Sequence, residues 1–233
     1  MNLRSSDIKA IARDSLRGHW FSSIIAAILA AVFGVFFMSF IVWARYGLLM
    51  AAAVRYLEDI PNYFFLIPLV MAVIVLFQFF FGGAVHLGYI KYNLSLLDRE
   101  KARLSSLFSC FGSFWKAVAM RVGLFFIVFC CSLLLIVPGI IVYFIYPMTP
   151  YVLEERPAFP VIEAMRSSRK MMRGNKWKLF CLRFSFIGWD LLCLLTLGLA
   201  AIYVVPLKQT AEAVFYNEIS GRADVYYGRP SHD

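Results

Sequence analysis

Arg183, Asp190, Lys208, Glu212 and Thr149 stand in stretches otherwise built from Leu, Ile, Val, Phe and other apolar residues. A charge near the middle of an apolar helix costs about 2.5 to 3.5 kcal/mol on insertion scales, so each such residue needs a partner or a purpose. Asp190 precedes Leu199 by about nine residues and Lys208 follows it by about nine, which at about 1.5 Å per residue brings them to one depth on facing helices. The spacing predicts an Asp190–Lys208 ion pair. Arg183 lies one i+7 step from Asp190 and Glu212 one i+4 step from Lys208, which predicts a second pair, Arg183–Glu212, nearer the basic side. Two chemistries fit. The pairs can hold two helices together, with Arg183 and Glu212 snorkelling to the interface, or they can form a polar midplane site of the kind transporters use.

Thr149 joins them through the segment Tyr146-Pro147-Met148-Thr149-Pro150-Tyr151. Each proline lacks an N–H and displaces a carbonyl one turn earlier, so a helix here is expected to kink or unwind. Counted from Pro138-Gly139, Thr149 is about 15 Å deep, the level of Asp190 and Lys208. A merely kinked helix packed on a neighbour is the alternative. Gln78 is expected to bond another helix, and Gly82, Gly83, Ala84 and Gly88 form a face suited to close packing.

Other chemistry is thinly represented. His19, His86 and His232 are too scattered for a metal site, and no H-E-x-x-H, G-x-S-x-G or phosphate-binding glycine loop occurs. Cys110, Cys130, Cys131, Cys181 and Cys193 lack ligand spacing and read as small hydrophobes. We expect no catalytic residues, no metal and no cofactor. An intramembrane enzyme using Asp190 and Lys208 as acid and base is the least favoured reading.

The elements that position these residues are six long apolar runs, 20–44, 63–90, 116–137, 139–153, 177–197 and 200–215. With 61% hydrophobic and 16% charged residues and a mean hydropathy of +0.74, the chain is more apolar than a soluble domain. The expected fold is all-α, a polytopic membrane bundle of about six transmembrane helices in three hairpins, with amphipathic interfacial helices. It forms one domain over 1–221, followed by a short cytoplasmic tail over 222–233. The first run exceeds a signal-peptide core, and we expect it to be retained despite Ala51, Ala52 and Ala53.

Charge sets the orientation. Arg4, Lys9, Arg13 and Arg17 precede the first run, and Lys91, Arg99, Lys101, Arg103 and Lys116 separate the second from the third. Arg156, Arg166, Arg169, Lys170, Arg173 and Lys176 separate the fourth from the fifth. The connector after the first run has Arg45 and Arg55 offset by Glu58 and Asp59, and the tips Pro138-Gly139 and Thr196-Leu197-Gly198 carry no charge. The positive-inside rule then puts both termini in the cytoplasm.

Within 160–173, Arg166, Arg169, Lys170 and Arg173 form one helical stripe opposite Val161, Ala164, Met165 and Met172. Lys9, Arg13 and Arg17 repeat the pattern opposite Ile8, Ile11, Ala12 and Leu16. Both stripes are candidate contacts for anionic lipid headgroups, at about 1 kcal/mol per basic residue; ordinary positive-inside charge is the plainer reading. Trp20, Trp115 and Trp177, each shortly after Gly18, Gly112 or Gly174, are expected to be interfacial anchors. The +9 net charge is spread between spans, which points to anionic membrane lipids and away from nucleic acid. A homo-oligomer or another membrane subunit is left open.

One resemblance covers nearly the whole chain. Ser168-Arg169-Lys170-Met171-Met172-Arg173-Gly174-Asn175-Lys176-Trp177-Lys178-Leu179-Phe180, Ser185-Phe186-Ile187-Gly188-Trp189, Leu195-Thr196-Leu197-Gly198, Val205-Pro206 and Ala213-Val214-Phe215-Tyr216 resemble the bacterial integral-membrane family catalogued as domain of unknown function 975. Leu107-Phe108-Ser109-Cys110-Phe111, Val137-Pro138-Gly139-Ile140 and Met148-Thr149-Pro150-Tyr151 are colinear, weaker matches. The resemblance implies a multi-span helical bundle in the bacterial plasma membrane and assigns no biochemical role. The family usually places an aromatic residue after Val205-Pro206, where this chain has Leu207 and then Lys208. From residues and resemblance together, the expected function is non-enzymatic handling or sensing of membrane lipids or membrane-soluble anions. The alternative is a small transporter or transporter subunit.

Overall fold

The computed structural model describes residues 3–32, 63–98, 104–134, 143–196 and 198–222. Among them every regular element is a helix: α1 (Ser5–Leu16), α2 (Trp20–Val32), α3 (Tyr63–Leu97), α4 (Ser106–Ser109) with the 3-10 turn Cys110–Ser113, α5 (Phe114–Leu134), α6 (Thr149–Glu155), α7 (Val161–Met171), α8 (Lys176–Phe184), α9 (Ile187–Leu195) and α10 (Ala201–Ile219). The tip at 138–139, the connector at 45–59 and the tail from 223 lie outside the described residues.

Two helices organise the rest. α3 has 35 residues and no Asp, Glu, Lys or Arg from Tyr63 to Ile90, a rod about 50 Å long at about 1.5 Å per residue. It packs on α4, α5, α6 and α10, while α10 also receives α1, α2 and α9. The small-residue face of α3 makes the close approach possible: a Cβ on Gly88 would lie 2.0 Å from the Leu107 carbonyl oxygen of α4. Gln78 bonds another helix, donating from Nε2 to the Val32 carbonyl of α2 at 3.2 Å.

α1 departs from the expectation that its apolar side lies in the headgroup layer. Ile8, Ala12 and Leu16 are fully buried in the protein core, and α1 runs antiparallel along α10. The Leu3 amide donates to Glu218 Oε1 at 2.7 Å, and Trp20 stacks on Tyr203 with centroids 4.6 Å apart. At Gly18 (φ +84°) the chain bends by 104° into α2, using the left-handed conformation that glycine adopts without strain. Gly174 (φ +86°) ends the α7 region in the same way, whereas Gly112 lies inside the 3-10 turn.

The fourth and fifth runs are not single helices. Residues 144–148 form turns, and α6 begins only at Thr149, with Pro150 in its first turn, as a proline that cannot donate requires. The fifth run breaks at Ser185-Phe186 into α8 and α9. Neither residue forbids helix; the freed Ser185 carbonyl accepts a hydrogen bond from Lys9 Nζ at 2.7 Å, so docking of α1 stabilises the break. Among the described residues one helical stretch, Ser106–Val128, passes as long and apolar enough to cross a membrane (mean hydropathy 1.5, 17% buried). α1 and α2 do so only as the bent pair.

Candidate functional site

Among the described residues α10 takes part in three of the five ion pairs, because its charged residues recur every four to six positions and meet an antiparallel partner. Lys208 Nζ lies 2.9 Å from Asp190 Oδ2 and 3.3 Å from Oδ1 on α9. Arg183 Nε of α8 donates to Glu212 Oε1 at 2.9 Å. One step further along, Lys178 bonds Glu218, and just beyond α10 Arg222 Nη2 bonds Glu155 Oε1 of α6 at 2.6 Å. As α10 advances through 208, 212 and 218, its partners retreat through 190, 183 and 178, so three rungs fix the hairpin register.

Each rung has a different environment. The Lys208–Asp190 side chains are 25% and 31% exposed, those of Arg183–Glu212 are 20% and 14%, and Glu218 is almost sealed. The Arg183 guanidinium sits over the Tyr143 ring at 5.0 Å and the Phe144 ring at 5.7 Å, and its Nη1 is buried without a hydrogen bond. Buried Tyr151 of α6 lies within electrostatic reach of this pair and stacks on Tyr216 of α10 at 5.1 Å. Thr149 is fully buried and its Oγ1 makes no hydrogen bond. Among the described residues no hydrogen bond therefore joins Thr149 to Asp190 or Lys208, while α6 packs on α3 and α7.

The family described as Protein of unknown function (DUF975) matches residues 118–223. Over that stretch, a little under half of its length, the chain is similar to this family. No curated protein and no solved structure matches the chain. The DUF975 segment contains both partners of all four ion pairs just described, and it leaves out α1 to α4.

Within the DUF975 segment the second polar feature is α7. Pro160 precedes it, Glu163 lies in the first turn and Arg169 and Lys170 in the last, in accord with the helix dipole. Ala164, Met165 and Ser168 are buried, and Ser168 Oγ donates to the Ile145 carbonyl at 3.1 Å. That anchoring turns Arg166, Arg169, Lys170 and Arg173 outward. All four are exposed, and none takes part in an ion pair among the described residues. An open groove of about 630 Å³ borders Arg166 and Lys170. Trp115 and Trp177 are exposed at 78% and 73%, whereas Trp20 is partly covered by its stack on Tyr203.

The N-terminal basic residues divide. Arg13 is exposed, and Arg17 is exposed but paired with Asp14 at 3.2 Å. Lys9 is committed to protein, bonding the Ser185 carbonyl and covering the Phe186 ring at 4.4 Å, and burial followed by Arg13 lowers its pKa. It is therefore not a free headgroup contact.

Three features escaped the sequence reading. The Lys178–Glu218 rung follows the same antiparallel register and could have been found by extending it. Arg121, inside the third apolar run, donates to the Gln78 carbonyl at 3.4 Å; its position in that run was the available signal. A cleft of about 490 Å³ brings Lys91 and Asp98 together with Glu154, Glu155 and Arg222, an assembly of distant segments with no local signature. Burial raises the Glu154 pKa, with Lys91 opposing it and Glu155 reinforcing it. Among the described residues no cluster of three His, Cys, Asp or Glu side chains is placed to hold a metal.

Proposed function

We propose that this protein, similar over residues 118–223 to DUF975, is a non-enzymatic, multi-pass protein of the bacterial plasma membrane that binds anionic lipid headgroups through α7. Its six apolar runs are the embedded segments, grouped as three hairpins opening on the cytoplasmic side, and both termini are cytoplasmic. The observation that carries the reading is the stripe on α7 and its C-terminal turn: four exposed cations turned outward by a buried opposite face, none in an ion pair among the described residues. Like charges three and four residues apart repel one another, and a layer of anionic phosphates removes that cost at about 1 kcal/mol per basic residue.

The apolar surface supports a lipid surround. Phe125, Phe126, Leu191, Leu195 and Leu199 are all more than half exposed, and large apolar side chains bared on this scale fit contact with another apolar phase. The transport alternative draws on a different observation, the buried and unbonded Thr149 Oγ1 and Arg183 Nη1. The mutual pairing of Asp190 with Lys208 and of Arg183 with Glu212 favours a structural role for those charges.

The test is native mass spectrometry of the full chain purified from membranes containing phosphatidylglycerol. Wild type retains phosphatidylglycerol in preference to phosphatidylcholine. Changing Arg166, Arg169, Lys170 and Arg173 together to Gln should abolish that preference without altering thermal stability. Unchanged retention in the fourfold variant would refute the assignment.

A further inference from the structure

α1 and the α8–α10 hairpin form a slab with two unlike faces. α1 follows α10 from Glu218, where the Leu3 amide is held at 2.7 Å, to Tyr203, where Trp20 is stacked. Ile8, Ala12 and Leu16 seal the seam between them. The outward side of α1 carries Arg13, Asp14 and Arg17, and the side chains of Asp14 and Arg17 are 70% and 77% exposed. These charges are distributed along the flank of the hairpin toward its tip rather than gathered at its base.

The opposite face is apolar. On α8 and α9, Leu179, Leu182 and Phe186 point inward, and Lys9 covers the Phe186 ring. Trp177, Phe184, Ile187, Leu191 and Leu195 follow at helical spacing on the other side and are all exposed. α10 alone, with 19 residues, would be about 28 Å long and close to the roughly 30 Å of a hydrocarbon core. Length therefore permits a crossing, but a crossing would carry the exposed Asp14 and Arg17 side chains into hydrocarbon with none of the described residues covering them. A slab charged on one face and apolar on the other has the build of an element lying in the interface.

We infer that α1 and the α8–α10 hairpin sit as a wedge in the cytoplasmic leaflet, with the Trp177–Leu195 stripe against acyl chains, the α1 charges among headgroups, and the Leu199 tip short of the outer surface. This rests on the membrane reading above and revises the last two expected crossings into a one-leaflet hairpin. Such a wedge displaces lipid from one leaflet only, so its partner is that leaflet's packing rather than any single lipid species.

Single cysteines at Leu199, Leu195 and Phe126, on a cysteine-free full-length background in intact cells and in proteoliposomes, test the placement. Leu199→Cys should resist a membrane-impermeant maleimide applied from outside intact cells. A fluorophore on Leu195→Cys should be quenched several-fold more by lipid bearing a nitroxide at acyl carbon 5 than at carbon 16. Labelling of Leu199→Cys from outside, or deeper quenching at Leu195→Cys, overturns the wedge. A fluorophore on Phe126→Cys that neither lipid quenches would instead overturn the membrane reading on which it stands. Half-buried Ala200→Cys beside the tip repeats the labelling arm if Leu199→Cys does not accumulate.

Discussion

Glu218 is heavily committed: one carboxylate oxygen serves both the Leu3 amide and the Lys178 ammonium while the other is buried without a hydrogen bond. Removing its charge breaks a largely buried ion pair and weakens the hold on the Leu3 amide, and breaking a buried pair typically costs about 3 to 5 kcal/mol. Glu218→Gln should therefore lower the thermal midpoint sharply in detergent and release α1 to proteolysis, whereas charge removal at exposed Glu163 should do neither. Asp190→Asn and Lys208→Met should each destabilise, and the double variant should recover most of the loss, with a coupling of about 1 kcal/mol or more. An additive double variant would show that the pair does not act as a unit. Glu154 behaves in the opposite sense. Burial raises its pKa, with Lys91 opposing, Glu155 reinforcing, Arg222 opposing and Asp98 reinforcing. A folded pKa above the unfolded value means a contribution that is complete below the ordinary carboxylate range and is lost as pH rises through the raised value. Glu154→Gln should thus raise the melting temperature at neutral pH, and the gain should shrink as the medium is acidified through that window. The Asp190–Lys208 and Arg183–Glu212 pairs could be read from spacing because both partners belong to one local hairpin. The commitments of Lys9 and Glu218 could not, since they depend on where α1 docks from the far end of the chain.

Helix ends and crossings decide how the elements meet. Gly88 lets α3 lie against α4 so closely that a methyl group would overlap the Leu107 backbone; backbone cannot rotate away as a side chain can. Gly88→Ala should cost about 1 to 3 kcal/mol or more and separate the two helices. Gly123→Ala, where a Cβ meets nothing within 4 Å, should be tolerated. Crosslinking between α3 and α4 distinguishes the outcomes. The helical character of the apolar runs and the break before α6 follow from hydropathy and from Pro147 and Pro150, both visible in the sequence. The break between α8 and α9 has no such mark: Ser185 and Phe186 are ordinary helix residues, and the Lys9 ammonium that takes the Ser185 carbonyl comes from another element. The same docking explains why the amphipathic pattern of α1 signalled an apolar partner correctly while that partner proved to be α10 rather than lipid. α7 shows an identical pattern yet leaves its basic face bare, a difference that periodicity alone does not encode.

The whole molecule is a helical assembly with two surfaces of unlike chemistry. Exposed Phe, Leu, Ile and Trp cover the flanks of α5, α8 and α9, and cations in no ion pair among the described residues line α7 and its C-terminal turn. Water would have to wet the first surface, whereas an anionic bilayer accommodates both it and the cations. Collision accessibility of single nitroxide labels at Phe126 and Arg169, in bilayers containing phosphatidylglycerol, addresses this most directly. The account predicts that the label at Phe126 collides freely with dissolved oxygen and little with a water-soluble nickel complex, while the label at Arg169 shows the intermediate profile of the headgroup layer. A nickel-accessible, water-like profile at both positions would contradict it.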